Sequence, residues 1–236
     1  MLIKNSKMFS VGTFLAISFL GVLIMIFSPL FSGKNGLEFA DESFNKLAKG
    51  SSYFIPKVAK TIEPFSGKPV SATITLDKTE DAVNTEKILA LAGAKITRND
   101  ISLTVEGDVA VLLQSALKDA DDMYHNNGKA LSDRYGLNEK QALKYWWQAL
   151  NKIEKQMKKD RNIEMAKLFS EVNKKAVEPG YNFYQIDANK VVDHAGMLSG
   201  LLVFYVFYTM WWGYSIFYLF DGVGLTMKKA RVKKEA

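Results

Sequence analysis

The chain has 236 residues, with 31 Lys+Arg against 25 Asp+Glu, no cysteine and two histidines. Without cysteine there is no disulfide framework, thiolate nucleophile, thiolate-held zinc or iron–sulfur cluster, or thioether-attached haem, and two histidines are too few for a His-rich metal centre. An apolar fraction of 48% beside 24% charged residues suffices for a buried core and excludes a disordered tail.

Residues 1–7 carry Lys4 and Lys7 and precede MFSVGTFLAISFLGVLIMIFSPLF, residues 8–31, which hold no charge. At about 1.5 Å per residue this run reaches roughly 35 Å as a helix, enough for a hydrocarbon core of about 30 Å. It is longer than the apolar part of a cleaved signal peptide, and no small-x-small cleavage site follows, so a retained membrane anchor is expected.

Residues 32–196 make the expected central domain. Its 24 Lys+Arg and 23 Asp+Glu leave a net charge of only +1, so the basic excess of the chain lies in its tails. Phe39, Phe44 and Leu47 predict a short amphipathic helix. Phe54, Ile55, Val58 and Ile62 predict another, ending near Pro64, and Gly67-Lys68-Pro69 reads as a turn. Residues 72–76 (ATITL) alternate with period two, a strand signal. Asp77 and Thr79 then open a helix carrying Val83, Ile88, Leu89 and Leu91, with Gly93 to end it. Residues 95–97 and 101–105 flank Arg98-Asn99-Asp100 as a hairpin, and Val109, Leu112, Leu113, Ala116 and Leu117 follow at helical spacing. The order is β-α-β-β-α, a small unit with helices on one sheet face.

Long helices are expected after it. Asn138 and Gln141 form a capping-box pair, and Leu143, Trp146, Leu150, Ile153 and Met157 then make an a/d stripe that requires a partner. That partner is either the same domain or, as a helix interface, another chain. Ile163, Ala166, Phe169, Val172 and Ala176 mark a further helix closing before Pro179-Gly180. Lys152, Lys155, Lys158, Lys159 and Arg161 are interleaved with Glu154 and Asp160, which describes a solvated face rather than a nucleic-acid surface.

The second uncharged run, residues 197–220 (MLSGLLVFYVFYTMWWGYSIFYLF), precedes the tail 221–236, with Lys228, Lys229, Arg231, Lys233 and Lys234. Short basic flanks stay in the cytoplasm. Both termini are therefore expected there, and the central domain in the periplasm of a bacterial inner (cytoplasmic) membrane. The fold expected is α+β, with two transmembrane helices flanking an extracytoplasmic domain in which long helices follow the β-α-β-β-α unit.

Three places invite chemistry. Asp121 and Asp122 stand four and three residues before His125, so one carboxylate and the imidazole share a helix face; the three are candidate metal ligands, with Asp133 as a possible fourth. A solvated acidic helix end has the same pattern. His194 lies three residues before the second run, where it could approach a quinone head group or simply mark the helix entry. Asp221 marks either a helix end at the head groups or a contact with a partner. Aromatic residues normally gather at the two interfaces, yet here they run through the middle of the second span. Tyr208, Trp211, Trp212 and Tyr218 carry polar handles that hydrocarbon cannot satisfy, so with Asp221 they are the expected assembly surface. Gly12, Ser18 and Gly21 are the small residues with which the first span could pack.

No phosphate loop, nucleophile elbow or zinc-protease motif occurs. The expectation is a non-enzymatic accessory subunit or self-assembling scaffold of a membrane complex, without a cofactor. Its partners would be membrane lipid and other membrane-protein subunits or copies of itself, with no nucleic acid. The alternative is a quinone- or ligand-binding redox-accessory protein.

Overall fold

A computed structural model describes residues 3–225. The fold is mixed α+β and mostly helical, with one small sheet and two apolar helices long enough to cross a membrane. The chain forms two compact units: residues 1–44 with 190–236, and residues 45–189.

In the first unit, α1 (Ser6–Phe27) stops earlier than the uncharged run does. Ser28 is extended, as Pro29 requires of the residue before it. The chain then turns through Ser32 and Gly33, both at positive φ, so Leu30 and Phe31 lie outside the helix. The other long apolar helix, α10 (Ala195–Gly222), follows a single 3-10 turn, Val192–His194. Between these, α2 (Gly36–Ser51) starts in the first unit and ends in the second.

The second unit opens with α3 (Ile55–Ile62), whose Ile55, Val58 and Ile62 are buried and which tightens into a 3-10 turn at Pro64. Then come β1 (Pro69–Thr75), α4 (Thr79–Leu91), β2 (Lys95–Asn99), β3 (Ser102–Asp108) and α5 (Val109–Tyr124), the expected order. The antiparallel sheet runs β1-β3-β2, with Pro69 opposite Asp108 and Lys95 opposite Glu106. Val70, Ala72 and Ile74 of β1 share the buried face with Leu103 and Val105 of β3, while Thr73 and Thr104 pair their hydroxyls at 3.2 Å on the open face. Asp108 knits the join to α5. Its side chain accepts from Ala110 N and Val111 N at 2.8 and 3.0 Å, and from Gly67 N at 2.6 Å. On α4 the core side is Ala82, Thr85, Ile88 and Leu89; Val83 and Leu91, expected in the apolar set, face solvent because they fall off that stripe.

The chain continues through α6 (Lys129–Tyr135), α7 (Glu139–Lys159), α8 (Ile163–Val172) and α9 (Glu178–Asn182). Asn138 caps α7, accepting from Lys140 N and Gln141 N at 3.1 and 3.3 Å. The stripe Leu143, Trp146, Leu150, Ile153 and Met157 lies wholly in the core of this unit. It finds its partner inside the chain and offers no surface to another copy. The helical path after α8 does not close before Pro179. It passes through one π-helical turn, Asn173–Val177, and runs on as α9, with Pro179 in the first turn of α9 directly after the irregular turn. Gly180 is required there: a Cβ would stand 2.7 Å from the Ala120 carbonyl oxygen of α5.

Candidate functional site

The helix pair is built from small residues upward. A Cβ on Gly12 of α1 would lie 2.7 Å from the Leu219 nitrogen of α10, and one on Gly222 2.7 Å from Phe9, so both positions let the backbones touch. Beside them Ser215 Oγ donates to the Gly12 carbonyl at 3.0 Å and Trp211 Nε1 to the Leu15 carbonyl at 3.1 Å. Lys4 N and Asn5 N, left without partners by the start of α1, both donate to the Gly222 carbonyl at the end of α10 at 2.9 Å. The two helices are thus antiparallel. Gly21 has open space around it and makes no close approach, while the half-buried Ser18 bonds back to Phe14 O in its own helix.

Of the aromatic residues expected to drive assembly, Trp211 and Tyr208 are engaged within the chain. The Tyr208 ring stacks on Phe19 at 4.2 Å, with its hydroxyl buried and unpaired among the described residues. Tyr218 is half-buried, its ring against Tyr214 and Phe217. Trp212 lies against Phe19 yet stays 40% exposed. Asp221 sits in the last turn of α10, level with the start of α1, which is the helix-end position. The aromatic residues of α10 left exposed include Tyr205, Phe207, Tyr214 and Phe217, between 45 and 66% exposed and spread over both flanks of the helix.

In the second unit the Asp/His cluster divides. Asp121 accepts from Tyr53 at 2.8 Å, and its other neighbour is His125, 3.2 Å from Nδ1. Asp122 turns the opposite way, accepting from Asn127 at 3.1 Å and facing Arg134 at 3.5 Å. Asp133 pairs with Lys129 at 2.6 Å. Asp121, Asp122 and His125 are therefore not brought together as ligands, and the described residues contain no group of three or more His, Asp or Glu arranged to hold a metal. His194 lies in the 3-10 turn ahead of α10.

Two polar centres escape the sequence pattern. Asp119 is fully buried on α5, accepting from Trp146 Nε1 at 2.7 Å, from the Tyr135 hydroxyl and from Arg134. Burial pushes the Tyr135 phenol up, which keeps it a proton donor to this carboxylate. Lys49, 3% exposed, donates to Asn126 Oδ1 at 3.1 Å, to Phe183 O at 3.0 Å and to Ile186 O. Burial lowers its pKa, with Asp187 opposing. Asn126 reaches this geometry at φ 62, a left-handed conformation that Asn tolerates. In both centres the buried charge is met by fixed donors or acceptors, a stabilising arrangement. No protein-family model, no curated protein and no solved structure matches the chain.

Proposed function

We propose that the chain is a non-catalytic integral membrane protein that serves as an accessory subunit or self-assembling scaffold, with residues 45–189 held outside the cytoplasm as an interaction domain. The observation that carries this reading is the pair of exposed tyrosines on α10. Tyr205 and Tyr214 are 64 and 52% exposed with α1 already in place. In a bilayer their hydroxyls need acceptors that lipid tails do not supply. The antiparallel pairing of α1 and α10 supports the topology, since it brings Lys4 against Gly222, the residue after which the sequence leads to its basic positions. Extraction in mild detergent, with mass and protein composition determined together, tests the reading. Foreign subunits in fixed ratio, or a homo-oligomer of defined mass, are the expected results. A lone monomer would overturn it.

One observation favours a second reading, a membrane protein binding a quinone or another ring-bearing lipid. In the first unit a cavity of about 500 Å³ is lined by apolar residues, among them Val22, Met25, Leu30, Phe39, Leu201 and Phe204. A stoichiometric lipid or chromophore retained through purification would support that reading over assembly.

A further inference from the structure

A cleft of about 370 Å³ opens on the second unit between α7 and α9, lined by Lys144, Trp147, Val177, Glu178, Tyr181 and Asn182. Its size falls in the range of small-ligand sites, about 300–1,000 Å³. Two adjacent tryptophans show what is unusual here. Trp146 is fully buried in the core, whereas Trp147 is 41% exposed. Leaving an indole part-exposed gives up burial that a large apolar side chain would otherwise gain. The Trp147 ring is nevertheless held in place: its Nε1 donates to Glu178 Oε1 at 3.0 Å. Tyr181, 39% exposed, adds a second ring, over which Lys140 stands at 5.8 Å.

The backbone beneath the cleft is irregular at the same place. The π-helical turn Asn173–Val177 adds a residue to the helical path and leads directly into Val177 and Glu178 of the cleft wall. Such turns are frequent at functional sites. This one is tied to the backbone that carries the exposed indole, because Asn173 Nδ2 donates to the Trp147 carbonyl at 3.3 Å. Asn173 is 2% exposed and its Oδ1 has no partner among the described residues, a cost that a regular helix would avoid.

We propose that this cleft is a binding site for a saccharide. The face of a sugar ring is a patch of C–H groups that matches the exposed indole and phenol rings. Its hydroxyls match the carboxylate, ammonium and amide that Glu178, Lys144 and Asn182 bring to the same cleft. Other chemistries fit less well. Lys140 and Lys144 repel a cation, so the two rings do not form a cage for a quaternary ammonium. A wholly apolar ligand would strip water from three polar side chains with no return. A peptide that binds by strand addition would require an open strand edge, and α7 and α9 provide none. The inference uses the second unit alone and holds whether or not the membrane assembly does.

The test uses the full chain in a detergent without a sugar head group. Maltotriose, chitotriose and lysozyme-released cell-wall fragments are titrated by calorimetry, which separates free neutral sugars from wall glycan. Saturable binding to at least one of the three is expected. Trp147→Ala should weaken it about tenfold or more, equivalent to about 1.4 kcal/mol, while Trp147→Phe, which keeps a ring, retains most of it. Tyr181→Ala provides a second reading should Trp147→Ala change the melting of the unit. No saturable binding to any of the three probes, or binding unaltered in both alanine variants, overturns the assignment.

Discussion

Asp119 is the centre of a buried polar network in the second unit. It is a carboxylate at zero exposure whose partners, Arg134, Tyr135 and Trp146, come from α6 and α7. Removing one member of a buried charged pair leaves the other uncompensated, at about 3–5 kcal/mol. Asp119→Ala should therefore lower the unfolding free energy in detergent by about that amount, and Asp119→Asn by less, as read in denaturant titrations. A loss under about 1 kcal/mol for the alanine variant would show that the network is slack. Nothing local distinguishes Asp119 from Asp121 and Asp122 in KDADDMYH. Its partners lie 15 to 27 residues onward, so only the folded arrangement sorts one buried carboxylate from two surface ones. The Asp/His pattern was legible as proximity, since Asp121 and His125 do meet, but not as the division that sends Asp122 to Arg134. Tyr53 gives this corner a pH signature. Burial and then its bond to Asp121 push the phenol up to about 12 from 10.0. A folded-state pKa above the unfolded one means that the contribution is complete below pH 10 and is lost as pH rises toward 12. The melting temperature of the wild type should fall more steeply over that window than that of Tyr53→Phe. Parallel curves would refute the coupling.

Among the elements, those set by local chemistry were readable and those set by contact were not. Strand alternation over residues 72–76 and the Asn138 cap act within a few residues, and both stand where the pattern puts them. The continuation through Pro179 depends on a π-helical turn and on Gly180 touching α5, neither of which has a local signal. The seam between α1 and α10 is the same kind of feature. The two glycines of α1 look equivalent in sequence, yet only Gly12 meets backbone. Gly12→Val should push the helices apart, while Gly21→Val, in open space, should leave them paired. Because the chain lacks cysteine, Lys4→Cys with Leu225→Cys can report this directly with a short bifunctional maleimide. After proteolytic cutting between the helices, the cross-link should hold the fragments together in the otherwise native chain and with Gly21→Val. It should fail with Gly12→Val. Equal cross-linking in both glycine variants would remove Gly12 from the seam.

For the molecule as a whole, the consequence is that the seam side of α10 and its exposed aromatic residues can be altered separately. Tyr208 and Trp211 face α1, through the ring of Phe19 and the carbonyl of Leu15. Tyr205, Phe207 and Tyr214 face outward. Replacing these three with leucine keeps an apolar helix that still partitions into lipid, but removes the hydroxyls and rings that a partner would engage. The triple variant should therefore insert normally, keep the thermal transition of residues 45–189, and migrate at monomer mass in mild detergent. Tyr208→Ala with Trp211→Ala should behave in the opposite sense, loosening the helix pair before it alters complex mass. If the outward variant retains the full complex while the inward one loses it, α1 and α10 associate with partners through the seam itself. The accessory-subunit reading would then have to be rebuilt on a swapped helix pair.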